Sequence, residues 1–335
     1  MAHEIETMAW TGDRPWHGLG VEVGPDMTPE EMMEAAGLTW TVSKRPAYTL
    51  DSPEWSEDVG LIQAVNSYFI VRDSDNRVLS PAGTNYVPIQ NDQIFDFFKR
   101  FTEAGHMTME TAGSLKGGSE VWGLAKIADD FVLPGGDEIK GYLLINQPHI
   151  VGKSMIIKLT PIRVVCNNTL QLALSDSGFG SFRMPHIQAF EGDVVARAEE
   201  ALGLSAASMT KFKEAAEFLC EAKAETSNVI NFISRLYQPA LLGPDGTPID
   251  KDTPMRDQMN KTSELVFEAV ERQPGADLKS SKGTWWGALN AVTYVEDHMR
   301  NETESGNALH RAWFGQGANL KARALDLALD YAKAA

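Results

Sequence analysis

The sequence predicts an α+β protein, in which an antiparallel β-rich N-terminal half with flanking helices precedes a mostly helical C-terminal half. Between residues 38 and 190, apolar and polar residues alternate in runs that end at Gly- and Asp-rich turns, as in antiparallel strands. After Glu191, apolar residues recur at helical spacing instead. The 335 residues, 43% hydrophobic and 23% charged, suit one large or two ordinary domains. We divide the chain into a β-rich domain with an N-terminal arm, residues 1–190, and a helical region, residues 191–335.

The first elements follow from short local signals. Residues 1–26 form an arm without periodicity, whose tryptophans would cover part of the core or contact a partner. A capping box, Thr28-Pro-Glu-Glu31, opens a helix that Gly37 ends. Residues 38–87 alternate as antiparallel strands with a polar turn at 73–76, and Asn91 is placed to cap the next helix. That helix carries a stripe of apolar residues at helical spacing, which predicts a core face: Ile94, Phe97, Phe98 and Phe101.

Two more hairpins follow, at residues 110–127 and 142–159, and Gly117-Gly118 forms the tight turn of the first. This turn could present backbone N–H groups to a phosphate, but the spacing is not that of a P-loop or dinucleotide fold, and a plain turn is the alternative. The segment from Arg163 to Leu170 then turns from strand into helix. Its Asn167 and Asn168 would meet a phosphate or simply cap that helix.

The C-terminal half reads as helices separated by one Pro/Gly-rich loop at residues 238–254. The predicted helices cover residues 194–202, 205–237, 255–272, 284–298 and 319–334. Trp285 and Trp286 are adjacent at the start of one of them. Because neighbouring residues point to different sides of a helix, we expect one of the two at a subunit or domain interface, with core packing as the alternative.

Charge is unevenly distributed along the chain. The net charge is −16, which argues against broad coating of nucleic acid or anionic lipid. The stretch from Gly141 to Phe190, however, carries four cations and a single acidic residue. A basic island in an acidic protein predicts an anionic partner. The predicted nucleic-acid-binding residues are Lys153, Lys158, Arg163, Asn167, Asn168 and Arg183, with Lys116 and Lys126 on the preceding hairpin.

The sequence also favours a cytoplasmic location. The first twenty residues lack a basic start followed by an apolar run, and no window approaches 18 apolar residues, so we expect neither a signal peptide nor a membrane partner. Two cysteines far apart, Cys166 and Cys220, suit buried thiols in a reducing compartment. The histidines and cysteines show no metal-ligand spacing, and we predict no metal and no cofactor.

Five segments carry a resemblance to a known family: Pro15 to Gly20, Tyr86 to Asn91, Thr111 to Gly118, Arg163 to Leu170 and Gly283 to Ala291. Together they resemble the phage/plasmid-like protein family known as domain of unknown function 932. One segment departs from the family pattern, since Gln-Pro-His-Ile follows Asn146 where a Ser-His-Asp-Gly-type turn is expected. The resemblance implies a protein of phages, plasmids and integrated elements in a bacterial cytoplasm, and it implies no established activity.

These observations predict a DNA-handling protein of a phage or other mobile element. The first hypothesis is single-stranded DNA binding or annealing in recombination by a homo-oligomer, because a few cations suffice for binding without sequence preference. The order of elements, β then helical, is also similar to that of phage annealing proteins, as an analogy. The alternative is an acidic inhibitor that imitates nucleic acid and binds a host protein. A thiol enzyme using Cys166 with His149 or His186 comes third, since Cys166 reads as a buried strand end.

Overall fold

The computed structural model describes most of the chain and divides it into two compact units. Unit 1 consists of Met1–Ala128, Leu143–Lys158 and Ser181–Gly203, and unit 2 of Asp129–Tyr142, Leu159–Gly180 and Leu204–Ala335. This division differs from the continuous boundary predicted at residue 190, because two long strands each run from one unit into the other. The described residues are 5–12, 19–53, 59–103, 107–127, 130–165, 168–169, 181–203, 205–243, 247–300 and 308–334.

The strands form two sheets. Their bounds are β1 Ile5–Trp10, β2 Val21–Glu22, β3 Val42–Leu50, β4 Leu61–Arg72, β5 Arg77–Gly83, β6 Met107–Leu115, β7 Glu120–Ile127, β8 Phe131–Leu133, β9 Asp137–Pro148, β10 Ser154–Arg163, β11 Asn168–Thr169 and β12 Ser181–Pro185. The larger sheet has the strand order β11-β10-β9-β7-β6-β1-β2. In addition, β12 pairs with β10 and β8 pairs with β9. The smaller sheet is β3-β4-β5, paired antiparallel. Part of the predicted arm is therefore strand β1, whereas Trp16 and His17 lie outside the described residues.

Helices dominate the second half, as predicted. Their bounds are α1 Pro29–Ala35, α2 Asn91–Glu103, α3 Asp193–Gly203, α4 Ser205–Glu221, α5 Thr226–Tyr237, α6 Lys261–Arg272, α7 Trp285–Tyr294, α8 Ala308–Trp313 and α9 Gln316–Ala334. A π-helix, Val295–Met299, follows α7. The helix predicted over 205–237 is broken between α4 and α5, because the backbone there bonds instead to the start of α7: Ala224 N donates to Gly283 O, and Ala222 O accepts from Trp285 N. The α+β class is confirmed.

The local signals near the N-terminus have mixed outcomes. The capping box of α1 is present, with Thr28 Oγ1 accepting from Glu31 N and Glu31 accepting from Thr28 N, and Gly37 adopts a left-handed φ of 68° where the helix ends. The apolar stripe of α2 is a core face as predicted. The expected cap role of Asn91 is wrong, because its buried amide donates to the carbonyls of Leu38 and Trp40.

The structure also corrects the segment after Arg163. Residues 168 and 169 were predicted to begin a helix, but they form β11, whose register pairs Arg163 with Asn168 and Ile162 with Thr169. The pairing satisfies backbone groups that a helix start would have left open. In the described part of the chain, no helix is long and apolar enough to cross a membrane.

Candidate nucleic-acid interface

The predicted contact residues lie in two different units. Lys116, Lys126, Lys153, Lys158 and Arg183 belong to unit 1. Arg163, Trp285 and Trp286 belong to unit 2. Asn167 lies outside the described residues, and Asn168 is described only by its backbone in β11. The boundary between the units falls within β10, between Lys158 and Arg163.

The turn between β6 and β7 is tightly built and surrounded by charged side chains. Lys116, Gly117 and Gly118 adopt successive left-handed φ values of 54°, 63° and 84°. A Cβ on Gly117 would lie 2.2 Å from the Arg77 guanidinium carbon, and one on Gly118 would lie 2.7 Å from Arg72 Nη1. Both positions therefore favour glycine for their backbone conformation, and Gly118 also for space, because Arg72 is buried.

One buried carboxylate collects two lysines beside this turn. Glu120, at the start of β7, is fully buried, and its Oε1 accepts from Lys116 Nζ at 2.9 Å and from Lys153 Nζ at 2.7 Å. The two lysine side chains remain 23% and 36% exposed. Because one negative charge faces two positive charges, these three residues keep a net positive charge at an accessible position.

Two arginines lie over the same turn but differ in their availability. Arg72 is buried, donates to both carboxylate oxygens of Glu6 and of Asp75, and lies over the Trp40 ring. Its hydrogen bonds to Asp75 and Glu6 raise the pKa of Arg72, and the guanidinium in turn lowers the pKa of Asp75 to about 2. Arg77 is 51% exposed, and its nearest carboxylate oxygen, on Glu6, is 3.9 Å away. Arg77 is thus able to contact an external anion.

A second group of cations lies on β10 and β12. Arg183 on β12 is exposed and sits directly opposite Ile156, and Lys158 opposite Ser181 is half-buried. Because alternate residues of a strand share a face, Lys158 and Arg183 lie on the same face, and neither strand contains an acidic residue. Lys126 is half-buried near the end of β7. Lys158 and Arg183 make the β10–β12 face basic, and both were predicted from the excess of cations in this part of the sequence.

Arg163 does not lie on a surface. Its side chain is fully buried in unit 2, where Nε and Nη2 donate to the equally buried Asp137 at 2.8 Å. Nη2 also donates to Ser281 Oγ and Gly275 O. The position does not fit the expected contact of Arg163 with an external partner, because its guanidinium is the counter-ion of a buried carboxylate.

The two tryptophans also lie inside unit 2. Trp286 donates its Nε1–H to Asp137 at 3.0 Å and packs edge-on against Phe212, while Trp285 stacks on Tyr331. Both side chains are fully buried. This burial does not fit a position at a subunit interface, because residues 285–293 are buried on every side of α7. Because α7 is buried on all sides, Trp285 and Trp286 point in different directions and still both pack inside unit 2.

A buried imidazole in unit 1 contacts the last residue of the matched segment Tyr86 to Asn91. His149 is fully buried, and its Nε2 lies 3.0 Å from Asn91 Oδ1. Because both amide protons of Asn91 are donated to carbonyls, its Oδ1 faces the histidine and Nε2 must carry the proton. Nδ1 then holds a lone pair, for which the described residues offer no hydrogen-bond donor. Sequence reasoning gave His149 only as a candidate base.

Burial keeps both histidines of this region neutral. Burial lowers the pKa of His149 to about 3, and the nearby His186 adds to the lowering. Burial also lowers the pKa of His186, which stacks on the Tyr86 ring with centroids 4.8 Å apart. Desolvation likewise raises the pKa of the Tyr86 hydroxyl. A neutral imidazole with an open lone pair can accept a hydrogen bond.

The lowered pKa of His149 predicts a specific pH dependence. Below the ordinary histidine pKa of about 6.5 the unfolded chain binds a proton that the folded chain excludes, so stability falls by about 1.4 kcal/mol per pH unit down to the folded pKa. We expect His149→Gln, which keeps a donor toward Asn91, to remove this contribution. Urea titrations at pH 7, 6 and 5 should show that the wild type loses unfolding free energy more steeply than His149→Gln as the pH falls. Equal losses in the two proteins would contradict a lowered pKa of His149.

The thiol-enzyme hypothesis gains no support from the described cysteine. Cys220 is buried on α4, and desolvation, followed by the charge of Asp137, raises its pKa to about 12. Such a thiol remains protonated at neutral pH and is a poor nucleophile. Cys166 lies outside the described residues.

A second buried charge cluster lies in unit 2, and its burial was not predicted from the sequence. Glu296 and Asp297 occupy the π-helix and are buried, although adjacent acidic residues near a helix end usually face solvent. Glu296 accepts from Tyr237 Oη, Arg300 and Arg311, and Asp297 binds Lys321. The available signal was their position directly after the apolar run of α7. Among the described residues, no three His, Cys, Asp or Glu side chains are grouped to hold a metal ion.

Comparison with known proteins identifies a family but no activity. No curated protein and no solved structure matches the chain. A family model matches residues 78–324, which include four of the five segments that carry the resemblance. The chain therefore belongs to the family described as Domain of unknown function (DUF932), and the resemblance indicated by its motifs is confirmed.

Proposed function

We propose that this protein binds nucleic acid, with single-stranded DNA as the preferred form, through phosphate contacts made by the cations of unit 1. The observation that carries the proposal is the pair of lysines on one buried carboxylate. Lys116 and Lys153 share Glu120 and so keep a net positive charge at the β6–β7 turn of a chain whose net charge is −16. Arg77 lies over the same turn and is half-exposed.

The cations of β10 and β12 support the same proposal. Lys158 and Arg183 share one face of β10 and β12. Lys153 lies directly before β10 and contacts Glu120. Cations at these positions suit contacts with the phosphates of an extended single strand, and binding of this kind releases counter-ions and needs no base-specific contact.

The setting belongs to the same proposal. We place the protein in the cytoplasm of a bacterial host, in the service of a phage or other mobile element, where it would hold or anneal single strands in recombination. Annealing requires two strands to be presented together, which a homo-oligomer can do. The support for this setting is the resemblance of the motifs to a phage/plasmid-like family and the reduced state expected of the cysteines.

Removing two cations from the turn should weaken binding in a salt-dependent way. In Arg77→Gln/Lys153→Gln, Lys116 still neutralises Glu120, so the fold should be retained. Loss of two phosphate contacts should reduce the slope of log K against log salt by about 1.4 for a single strand. Fluorescence anisotropy of a labelled oligonucleotide over a salt series measures both affinity and slope.

A charge-matched control separates local contact from net charge. Lys213→Gln/Arg272→Gln removes two cations that form exposed ion pairs on α4 and α6 of unit 2. This variant should bind like the wild type, whereas equal weakening in both variants would contradict a site at the turn. Lys158→Gln/Arg183→Gln tests whether the β10–β12 face belongs to the same track.

The acidic surface supports one other candidate, an inhibitor that imitates nucleic acid and binds a host protein. The net charge of −16 is the observation that favours it. If the wild-type protein binds neither single-stranded nor duplex DNA at low salt, nucleic-acid binding is excluded and the inhibitor becomes the better proposal. Strong binding to DNA that weakens as the salt concentration rises would exclude the inhibitor instead.

A further inference from the structure

The outer part of the β3–β4 hairpin in unit 1 is an exposed two-stranded ribbon. We call it the distal ribbon and define it as residues 48–50 of β3 with residues 61–65 of β4. Its register pairs Tyr48 with Gln63 and Leu50 with Leu61. Between this part and the rest of the hairpin the register shifts by three residues, with Asn66 at a φ of 55°, which marks a bulge.

Apolar side chains cover the distal ribbon without being buried. Leu61 is 64% exposed and Val65 is 85% exposed. Tyr48 and Leu61 lie on one face and Ile62 on the other, because alternate residues of a strand point to opposite faces. A ribbon of two strands that is wet on both faces is only marginally stable by itself. These apolar side chains therefore indicate a surface that a partner covers.

The outer edge of β4 is open along the same ribbon. β5 pairs with β4 only as far as Ser67 opposite Gly83, and within the described residues no strand pairs with positions 61–66 on that side. Native proteins usually protect such edges with charged residues or proline. The sequence from Leu61 to Val71 contains neither. The backbone groups of this edge are thus available to an added strand.

The charge of the chain limits where two copies can meet. Two copies of a protein with a net charge of −16 repel each other over most of their surfaces, and they can approach closely only where charge is absent. Residues 48–50 and 61–71 form an uncharged region. We propose that the open edge of β4 pairs with the same edge of a second copy of this chain. The inference names the contact surface of the proposed homo-oligomer and rests on that part of the proposed function.

Two-fold symmetry makes this pairing antiparallel, and a centre at Gln63, the middle of residues 61–65, uses the whole open edge. An antiparallel pairing of identical strands centred on Gln63 places Gln63 opposite its own copy and Leu61 opposite Val65. The exposed apolar residues of each ribbon then cover those of the other. At the centre, two side chains of the same kind face each other with Cβ atoms about 5 Å apart.

This central position gives a charge-exchange test. Gln63→Lys and Gln63→Glu each place two like charges directly opposite each other, so each variant alone should dimerise at least tenfold more weakly than the wild type. An equimolar mixture should recover dimers, because Lys then faces Glu. Sedimentation velocity over a concentration series measures the association. Val78→Lys, on β5 and 53% exposed, is the control and should dimerise like the wild type.

Three results would overturn the proposal. The wild-type chain could stay monomeric at high concentration, neither Gln63 variant could weaken the oligomer, or the equimolar mixture of the two variants could form no more dimer than each variant alone. Failure here is distinguishable from failure of nucleic-acid binding. The anisotropy series with Arg77→Gln/Lys153→Gln concerns other residues and can be measured on a monomer. Loss of the ribbon contact with retained DNA binding would remove this inference alone.

Discussion

Arg163→Met is expected to destabilise unit 2 by about 3–5 kcal/mol, because removing one partner of a buried ion pair leaves the other charge uncompensated. Arg163 and Asp137 are both fully buried, and the guanidinium is the cation that the structure places on Asp137. Ser280 Oγ and Trp286 Nε1 also donate to Asp137 and would remain. Urea unfolding followed by tryptophan fluorescence should report the loss, since Trp286 contacts the carboxylate directly.

A double variant distinguishes lost charge pairing from a general packing defect. Arg163→Met/Asp137→Asn removes both charges of this pair and keeps an acceptor for Ser280 and Trp286. The double variant should therefore recover at least half of the unfolding free energy that Arg163→Met loses. Arg272→Met removes an exposed arginine, 77% accessible and 3.3 Å from Glu268, and should cost less than about 1 kcal/mol. If Arg163→Met unfolds within about 1 kcal/mol of the wild type, the pair is not structural.

Lys321→Met is expected to be comparably damaging. Lys321 on α9 is buried, and its Nζ lies 2.5 Å from Asp297 Oδ1 in the π-helix. Burial lowers the pKa of Lys321, while Asp297 and Glu296 oppose this by favouring the charged ammonium. Methionine retains the apolar stem but removes the cation, so the variant should lose about 3–5 kcal/mol of unfolding free energy. Urea unfolding measures this loss.

The π-helix should respond locally as well. Its extra residue per turn turns Glu296 and Asp297 inward together, and a buried Asp297 without Lys321 would favour an opening of this turn. Hydrogen exchange of residues 295–299 should therefore accelerate in Lys321→Met more than exchange in α5. Lys333→Met is the matched control, because Lys333 is exposed on α9, the helix that also carries Lys321. Unchanged exchange in Lys321→Met would show that Asp297 does not depend on the lysine.

Local signals in the sequence predicted much of the secondary structure. The Thr28 capping box, the Gly117-Gly118 turn and the phenylalanine stripe of α2 act over a few residues, and each appears where its spacing predicts. The β-rich first half and the helical second half follow from periods of two and of 3.6 residues. The element after Arg163 was misjudged, because the pairing of β11 with β10 overrides the tendency of Asn to begin a helix.

The candidate site was predictable only in part. Lys116 and Lys153 were identified as cations, but 37 residues separate them, and no sequence pattern indicates that they share Glu120. Arg163 was grouped with them by charge, although a charged residue between apolar neighbours can as well be buried with a counter-ion. Asp137 showed no sign of that role in the sequence. Long-range ion pairs decide which cations are accessible.

The sequence alone determined the fold class, the family and the excess of negative charge, because these depend on composition, periodicity and short motifs. Only the tertiary structure decided which matched residues are buried. It places Arg163 and Trp286 on one buried carboxylate, keeps Lys116 and Lys153 near the surface, and leaves one edge of β4 unpaired by any strand of the described residues. The physical reason is that burial and ion pairing join residues far apart in the chain, and a one-dimensional pattern carries no record of those distances.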